Sequence, residues 1–529
     1  MSTFMGLETS KRGLFTQQSA LYTTGHNISN ANTLGYSRQR VNMQATAGFP
    51  GVGLNAGTMP GFLGTGVEAG SIQRIRDSFV DQQFRQESNK LGYWESQTKA
   101  ISQMEDVLNE PSYYGLQKSL SEFWQSLEDL ATNPQNAGAR KVVIGSGEAV
   151  VDSFHYMHKS LSDIQANLGN EISVTTKEIN SVLQQIAQLN EQIANVEPNG
   201  YLPNDLYDAR DILLDKLSTM VPIETSYVES GGRALAIAEG SVTVKLKLKD
   251  GTTVELVNKD KHANLGTDPS PLVAQDGTSI PIKGISFWAP GTDPTDPAAT
   301  FTSIGHDDFA DTGQLKSLIN SYGKDDGAGG ATGLYPDMIA ELNKMAAAFA
   351  NAFNEVHKGG TDFNGKQGED FFKALDENGQ PMVITAANIA IVQALKDDPN
   401  LLAASDSQED IGNGEEGNGK NALNLAKVQF KALDQPGYDL GGATLETYYQ
   451  GVIGQLGVVG RQAENNTINS ATLLGAVEHR RASISSVSLD EELTDMIRFQ
   501  QAYNASARMI TVVDETLDKI ISGMGVVGR

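Results

Sequence analysis

A few groups of residues have types and spacings that could bind a metal ion. His155 and His158 lie one turn apart on a predicted helix, with Asp152 nearby, and imidazole and carboxylate groups are common zinc ligands. No third ligand follows at a motif spacing, and the metalloprotease pattern HExxH is absent from the sequence. Two surface histidines on a helix are therefore the simpler interpretation.

Two aspartate-rich segments are similar to calcium-binding loops, namely DFNG at residues 362–365 and DENG at residues 376–379. When their glycine is placed at position six of an EF-hand loop, position one becomes Gly360 or Ala374, and position twelve is not a glutamate. We therefore predict that both segments, and the HDD segment at residues 306–308, are turns.

Nucleotide-binding and nucleophilic motifs are equally weak. GMGVVG at residues 523–528 has the spacing of dinucleotide-binding glycines, but it follows a predicted helix and only Arg529 comes after it, so no helix N-terminus can face a pyrophosphate. The sequence contains neither a P-loop nor a GxSxG pattern. We predict no catalytic residue, no metal and no cofactor. A hydrolase within residues 222–330, with His262 and His306 but no nucleophile frame, is the remaining enzyme hypothesis.

Composition limits the remaining functions. The chain has 529 residues of which 39% are hydrophobic, enough for two to four domains with apolar cores. Its 40 basic and 65 acidic residues give a formal charge of -25, which disfavours nucleic acid and anionic membranes as partners. Cysteine is absent, which excludes disulfides and thiolate ligands. No apolar stretch is long enough to span a membrane, and Lys11 and Arg12 are not followed by the apolar block of a cleaved signal peptide.

The residues that we expect to matter form apolar lines on helices at the two ends of the chain, with one member every seven residues. These are Leu7, Leu14, Leu21 and Ile28 at the start, and Leu489, Met496, Tyr503, Ile510, Leu517 and Met524 at the end. The neighbouring line on each helix is largely polar: Phe4, Lys11, Gln18 and Gly25 on the first, and Leu493, Gln500, Ala507, Asp514 and Ile521 on the last.

Such narrow seams bury too little apolar surface to stabilise either helix alone. We therefore expect the two terminal helices to pack on each other and on the ends of neighbouring molecules. A solvent-exposed coiled coil within one molecule is the alternative.

In the middle of the chain the predicted secondary structure changes from helix to strand and back to helix. Helices are predicted over residues 78–108, 116–132, about 161–196 and 335–357, and again from 420 to the end. Ile172, Ile179, Ile186 and Ile193 occupy one heptad position of the third helix, which predicts a coiled-coil body. Between residues 222 and 330, alternating apolar residues from 242 to 248 and the turn Asp250-Gly251 predict strands.

The predicted fold is therefore mainly α with an inserted β domain. It is elongated, with paired N- and C-terminal helices, a coiled-coil helical body and an outer β domain. We assign residues 1–40 with 488–529 to a terminal helical domain. Residues 41–222, 331–360 and 415–487 form a helical rod domain that includes an extended linker. Residues 223–330 form the β domain, and residues 361–414 form a short connecting region.

Four segments resemble the flagellar axial proteins, and most specifically the family of the first hook-associated protein. They are NISNANTLGYSRQ (27–39), RDILLDKLS (210–218), FNEVHKGGTDFNGKQGEDFF (353–372) and VSLDEELTDMIRFQQAYNASARMITVVDETLD (487–518). The third resembles the hook–filament junction protein and neither flagellin nor the hook subunit. The segments span nearly the whole chain in the order of that family.

The resemblance implies a structural, extracellular role in the bacterial flagellum. It implies export by the flagellar type III apparatus without a cleaved signal, and an export chaperone on the C-terminal helix, which we place at Ile510, Leu517 and Ile521. It also implies self-assembly into a ring of subunits, with the hook protein on one side and the next hook-associated protein or the filament on the other.

Two rival functions remain at this point. One is another axial protein of the same superfamily, such as the third hook-associated protein. The other is a type III secretion tip protein, for which membrane-seeking apolar helices are expected and are missing here. For the favoured function, we predict that residues 1–30 and 490–529 are disordered in an isolated molecule and fold when they assemble.

Overall fold

The fold is helical at its base and along its body, with strands grouped in the middle of the chain. The computed structural model describes residues 3–49, 64–108, 115–274, 277–296, 298–375, 380–407, 415–435 and 438–523. Within these residues, no helix is both long and apolar enough to cross a membrane.

Among the described residues, five helices exceed 25 residues. In chain order the helices are α1 (Thr3–Ser29), α2 (Ser78–Leu108), α3 (Leu116–Thr132), α4 (Ala137–Val196), α5 (Asn204–Met220), α6 (Gln314–Tyr322), α7 (Leu334–Lys358), α8 (Gln393–Asp397), α9 (Lys420–Ala426), α10 (Leu445–Ser485) and α11 (Leu489–Gly523). Three short 3-10 turns lie at Glu197–Asn199, Pro399–Leu401 and Lys427–Phe430.

The strands are short. They are β1 (Gln39–Ala45), β2 (Val67–Arg74), β3 (Ile223–Val228), β4 (Ser241–Lys247), β5 (Thr253–Asn258), β6 (Lys261–His262), β7 (Asn264–Asp268), β8 (Gly284–Trp288), β9 (Thr302–Gly305), β10 (Lys324–Asp325), β11 (Ala331–Thr332), β12 (Phe372–Lys373), β13 (Ala390–Ile391), β14 (Asp434–Gln435) and β15 (Tyr438–Asp439). In the described residues, β3-β4-β5-β6 and β7-β8-β9 form two antiparallel sheets, and the others pair as two-stranded ribbons.

Helix α4 is the axis of the body. Its 60 residues would extend about 90 Å at 1.5 Å per residue. The side chain of Asn136 caps its start by accepting hydrogen bonds from the backbone N–H groups of Gly138 and Ala139, at 2.8 and 3.3 Å. Pro198 and Gly200, the latter with φ of +87°, follow its end, where a helix cannot continue.

The heptad isoleucines of α4 are fully buried, but their partner is a mixed surface instead of one parallel helix. The helix contacts α3, α5, α6, α7 and strands of the β domain. Val182, Leu183, Ile186 and Ala187 are all buried, so the apolar face is wider than a coiled-coil seam, as in a globular body. Its start at Ala137 also lies well before the predicted residue 161.

Two asparagines of α4 fix the β domain against it. Asn180 exchanges two hydrogen bonds of 2.8 Å with the backbone of Leu265, and Asn190 does so with Val242 at 2.8 and 3.0 Å. The predicted hairpin is confirmed, because β4 and β5 pair around the turn at Asp250 and Gly251. Helix α6, within the predicted β region, was not foreseen.

The part of the core between α3, α7 and residues 371–372, called here the upper core, is aromatic. Phe123 lies 5.3 Å from Phe353 and 6.2 Å from Phe371 between ring centroids, and Phe349 lies 4.9 Å from Phe372. These rings join α3, α7 and the segment that follows α7. Helices α2, α3 and α7 begin and end within one residue of their predicted bounds.

Candidate assembly site: the terminal helix pair and its joint to the body

The two terminal helices, α1 and α11, pack side by side at the base. They run antiparallel, since the Cβ positions of Gly6 and Gly13 would lie 3.9 Å from Val513 Cγ2 and 3.2 Å from Ser506 Oγ respectively. This contact joins the beginning and the end of the chain.

Small side chains let the two helices approach closely. Gly6, Gly13, Ala20 and Asn27 recur every seven residues on α1, and Ala20 and Asn27 are each 1% exposed. A heptad line of glycine and alanine at a helix interface brings the backbones together at the cost of helix propensity, about 1 kcal/mol for each glycine. The α1 side of the seam is thus built on small residues next to the predicted leucines.

The predicted apolar lines lie at the edge of this contact. All four residues on α1 and all but one of the described residues on α11 are half-buried, and Leu489 is exposed. The half-buried residues are Leu7, Leu14, Leu21, Ile28, Met496, Tyr503, Ile510 and Leu517. Ile521, predicted to bind a chaperone, is 75% exposed, and Met524 lies outside the described residues.

The second, half-polar line of α11 is mostly exposed. Leu493, Gln500, Asp514 and Ile521 are exposed, and only Ala507 is half-buried. The line that turns inward lies one residue earlier and consists of Glu492, Phe499, Ser506 and Val513. The sequence pattern did not distinguish the two because each contains both apolar and polar residues.

The outward face of the pair retains large apolar side chains. Each of them is between 43% and 77% exposed. They are Phe4, Phe15 and Tyr22 on α1, and Leu493, Ile497, Met509 and Val512 on α11, with Ile520 and Ile521 exposed near the end of α11. Apolar residues on both helices of one surface are typical of a contact with another protein.

The turn after α1 is held by Asn27, the first residue of the NISNANTLGYSRQ segment. Its amide accepts a hydrogen bond from the backbone N–H of Gln39 and donates one to the carbonyl of Gln39, at 3.0 and 2.8 Å. The hydroxyl of Tyr36 also donates to Asn27 Oδ1, at 2.8 Å. These bonds fix the end of α1 against the start of β1.

Helix α5, which contains the RDILLDKLS segment, provides the acidic residues that bind the turn after α1, β2 and α2. We call this polar cluster, centred on Asp208 and Asp211, the joint. Asp211 is 4% exposed and accepts hydrogen bonds from Arg74 and Arg76 at 2.9 Å and from Arg85 at 3.1 Å. Burial would raise the pKa of Asp211, but the facing Arg76, Arg74 and Arg85 overcome it and hold that pKa below its ordinary value. The carboxylate therefore stays charged and ties β2 to α2.

The same helix binds the turn after α1. Ser37 donates to Asp208 through its hydroxyl at 2.7 Å and through its backbone N–H at 3.1 Å. Arg74 also contacts Asp208, at 2.6 Å. Two of the four resembling segments thus meet in one buried polar cluster.

The FNEVHKGG segment has a structural use in the upper core. Asn354 accepts from the backbone N–H groups of Phe371 and Phe372, at 2.8 and 2.9 Å. The imidazole of His357 is fully buried, with Nδ1 2.6 Å from the carbonyl of Glu369 and Nε2 3.0 Å from the backbone N–H of Ala403. Nδ1 therefore donates and Nε2 accepts, which is the neutral imidazole.

The residues considered for metal chemistry are not gathered into a site. Among the residues that the structure describes, no three His, Cys, Asp or Glu side chains are arranged to hold a metal ion. Asp362 accepts from the backbone N–H groups of Asn364 and Lys366, at 2.9 and 2.7 Å, as in a turn. Residues 376–379 and the end of the GMGVVG segment lie outside the described residues.

Comparison with protein families gives two matches. The model of the flagellar hook-associated protein FlgK helical domain matches residues 101–372, and the model of the flagellar basal body rod FlgEFG protein C-terminal region matches residues 481–523. Flagellar hook-associated protein 1 of Bacillus subtilis (strain 168) is 42% identical over 529 residues, covering 100% of both chains. The chain belongs to the family of flagellar hook-associated protein 1. The resemblance predicted from the four segments is thereby confirmed.

More distant relatives are similar to this chain over most of its length. Flagellar hook-associated protein 1 of Escherichia coli (strain K12) is 24% identical over 586 residues, with 96% of this chain and 98% of the relative covered. The solved flagellar hook junction protein FlgK from Burkholderia pseudomallei is similar in fold, with a TM-score of 0.59 at 15% identity. That likeness covers 77% of this chain and 100% of the solved one.

Sequence reasoning missed the joint as a site. Several of its residues lie within the segments that carried the family resemblance, namely Ser37, Arg38, Asp211 and Asp215. No local pattern shows which arginine meets which aspartate when the partners are more than one hundred residues apart. The available signal was the dense alternation of arginine and aspartate in residues 74–85 and 205–215.

Proposed function

We propose that this protein is a structural subunit that joins the flagellar hook to the filament and polymerises through its terminal helices. The observation that carries the proposal is the outward face of the α1–α11 pair, which keeps large apolar side chains exposed on both helices. Membership of the hook-associated family supports the flagellar setting of that surface. The leucine lines are half-buried in one molecule, so a neighbouring subunit could bury their remaining exposed surface in a larger interface.

Folding of the two ends is coupled to assembly. In a single molecule the inward line of α1 consists of glycine, alanine and asparagine, and the leucines beside it are only half-buried. The pair therefore gains limited apolar burial against the entropy of ordering two long helices. Neighbouring subunits would cover Leu7, Leu14 and Ile510 from the other side. Such coupling delays polymerisation until subunits meet at the growing end.

The partners follow from this arrangement. The subunit forms a ring with its own copies, with the hook protein below and the next hook-associated protein or the filament above. An export chaperone covers Ile510, Leu517 and Ile521 before assembly. Of these, Ile521 is accessible without moving α1, whereas Ile510 and Leu517 are half-covered.

The protein acts outside the cell, at the hook–filament junction, after type III export without a cleaved signal. Its role is mechanical and not catalytic, which agrees with relatives named as flagellar hook-associated proteins. Peptide hydrolysis by purified protein, with and without zinc, tests this point directly: turnover above that of a heat-unfolded sample would contradict it.

Substitution of the seam tests the assembly role. Leu14→Asp together with Leu517→Asp places charges at two half-buried positions, so we expect the body to keep its unfolding midpoint while junction assembly and swimming are lost. Gln18→Asp with Asn504→Asp is the matched control, because both positions are exposed on the same helices. Swimming and electron microscopy of isolated flagella give the result, and normal junctions in the seam variant would refute the proposal.

A further inference from the structure

The two longest C-terminal helices are interrupted at residues 486–488, between the end of α10 at Ser485 and the start of α11 at Leu489. This break is where the terminal pair leaves the body. Ser486, Ser488 and Leu489 are exposed, and Val487 is half-buried. Val487 is therefore the one apolar residue of 486–488 whose burial could help to fix the angle between the helices.

An arginine stands on the body side of the break. Arg481, in the last turns of α10, is 2.9 Å from Asp81 on α2 and 2.7 Å from Asp215 on α5. Its guanidinium also lies 4.5 Å from the ring centroid of Phe84. This side chain, 19% exposed, holds the end of α10 to both α2 and α5.

A second arginine stands on the other side of the break. Arg38 lies 2.6 Å from Glu491 and 2.7 Å from Glu492, in the first turn of α11. Its backbone N–H donates to the carbonyl of Ser485, the last residue of α10, at 2.9 Å. One residue thus contacts the helices on both sides of the interruption.

Both anchors lead to the same acidic centre on α5. Ser37, next to Arg38, is bonded to Asp208, and Arg481 is bonded to Asp215. Asp81, the other partner of Arg481, is paired with Arg76 at 2.7 Å, and Arg76 reaches Asp211. The contacts form a closed chain of polar groups around the break.

We propose that residues 486–488 are an articulation whose angle is locked by Arg38 and Arg481, and that these positioning residues set the direction of the terminal pair for assembly. The inference rests on the proposed function, since a fixed direction matters only to a subunit that must fit its neighbours. Charge pairs with fixed geometry suit this purpose because they are directional, which apolar contacts are not.

The absence of cysteine makes a direct test practical. Ala471→Cys on α10 and Asp490→Cys at the start of α11 place two spin labels on exposed positions across the break. Their distance distribution is measured by pulsed electron resonance in the full chain and in chains with Arg38→Gln, Arg481→Gln or both. We expect one narrow distribution in the parent, a broader one in each single variant and one about twofold broader in the double variant.

Arg480→Gln is the control, since Arg480 is exposed and has no ion pair among the described residues. Thermal unfolding of the same samples reports whether the body stays folded. If Arg481→Gln unfolds it, Arg38→Gln alone decides, because its side chain is 20% exposed and lies at the edge of the cluster.

An unchanged width in the folded Arg38→Gln chain would overturn the lock, whatever happens to swimming. Failure of the proposed function would appear elsewhere, as normal junctions in the Leu14→Asp, Leu517→Asp chain. Those two substitutions leave both anchors intact, so the two outcomes are distinguishable.

Discussion

His357 is held on both sides by backbone groups, with Nδ1 donating to the carbonyl of Glu369 and Nε2 accepting from the N–H of Ala403. Burial lowers the pKa of His357 to about 4, and the hydrogen bond to the Glu369 carbonyl and the nearby Asp370 and Asp362 offset only part of that effect. His357 is thus a structural link between α7, residues 361–372 and residues 402–405.

Acid should therefore loosen the upper core. The folded pKa of about 4 lies below the ordinary value of 6.5, so the contribution of His357 to stability is complete above pH 6.5 and is lost as pH falls from 6.5 toward 4. The gap corresponds to about 3 kcal/mol. Urea unfolding of the body at several pH values between 4 and 7 measures it.

His357→Gln provides the comparison, because glutamine has no proton to gain in this range. It should start less stable at pH 7 and lose less stability than the parent on acidification. Equal losses in the two proteins would show that the imidazole makes no contribution to the pH dependence.

Residue-level prediction could use heptad spacing, because a heptad fixes which positions share one side of a helix. The α1 leucines and the α11 line from Met496 to Leu517 are half-buried at the edge of the α1–α11 contact, and their role in assembly stays a prediction. Residue-level prediction missed the Asp211 cluster, whose partners are brought together by the packing of β2, α2 and α5. A buried charge is visible only once its surroundings are known.

At the scale of elements, the α1–α11 contact depends on close approach. Gly13 lies where a Cβ would already be 3.2 Å from Ser506 Oγ, whereas Gly25 on the same helix has no atom within 4 Å of its Cβ position. The two glycines therefore offer a matched pair of substitutions.

Gly13→Leu should separate the helices, because overpacking costs about 1–3 kcal/mol. We expect the variant to lose assembly and swimming while the unfolding midpoint of the isolated body stays unchanged. Gly25→Leu should retain both, and this difference is measured by motility and by counting filaments on isolated hooks. Equal behaviour of the two variants would contradict a seam built on small residues.

Element bounds were predictable where the local signals agreed. Helices α2, α3 and α7 matched because apolar periodicity and helix stops coincide there. Helix α4 begins 24 residues before its predicted start at residue 161, because its early part is buried on an aromatic core that follows no strict repeat. Helix α6 was hidden by the glycines and prolines around it.

At the scale of the whole molecule, the chain leaves its base, builds the body and the β domain, and returns to pack its last helix on its first. Asn27 is bonded to Gln39, and Glu492 is paired with Arg38. We therefore expect only the residues of α1 before Asn27 and those of α11 after Glu492 to depend on neighbouring subunits for order.

The most direct test of this account is amide exchange, measured by nuclear magnetic resonance on the full chain verified as a monomer. We expect sharp resonances and fast exchange for residues 1–24 and 496–529, together with strong protection in α4. Slow exchange throughout α1 and α11 in that monomer would mean that one molecule folds its ends unaided, and would contradict folding coupled to assembly.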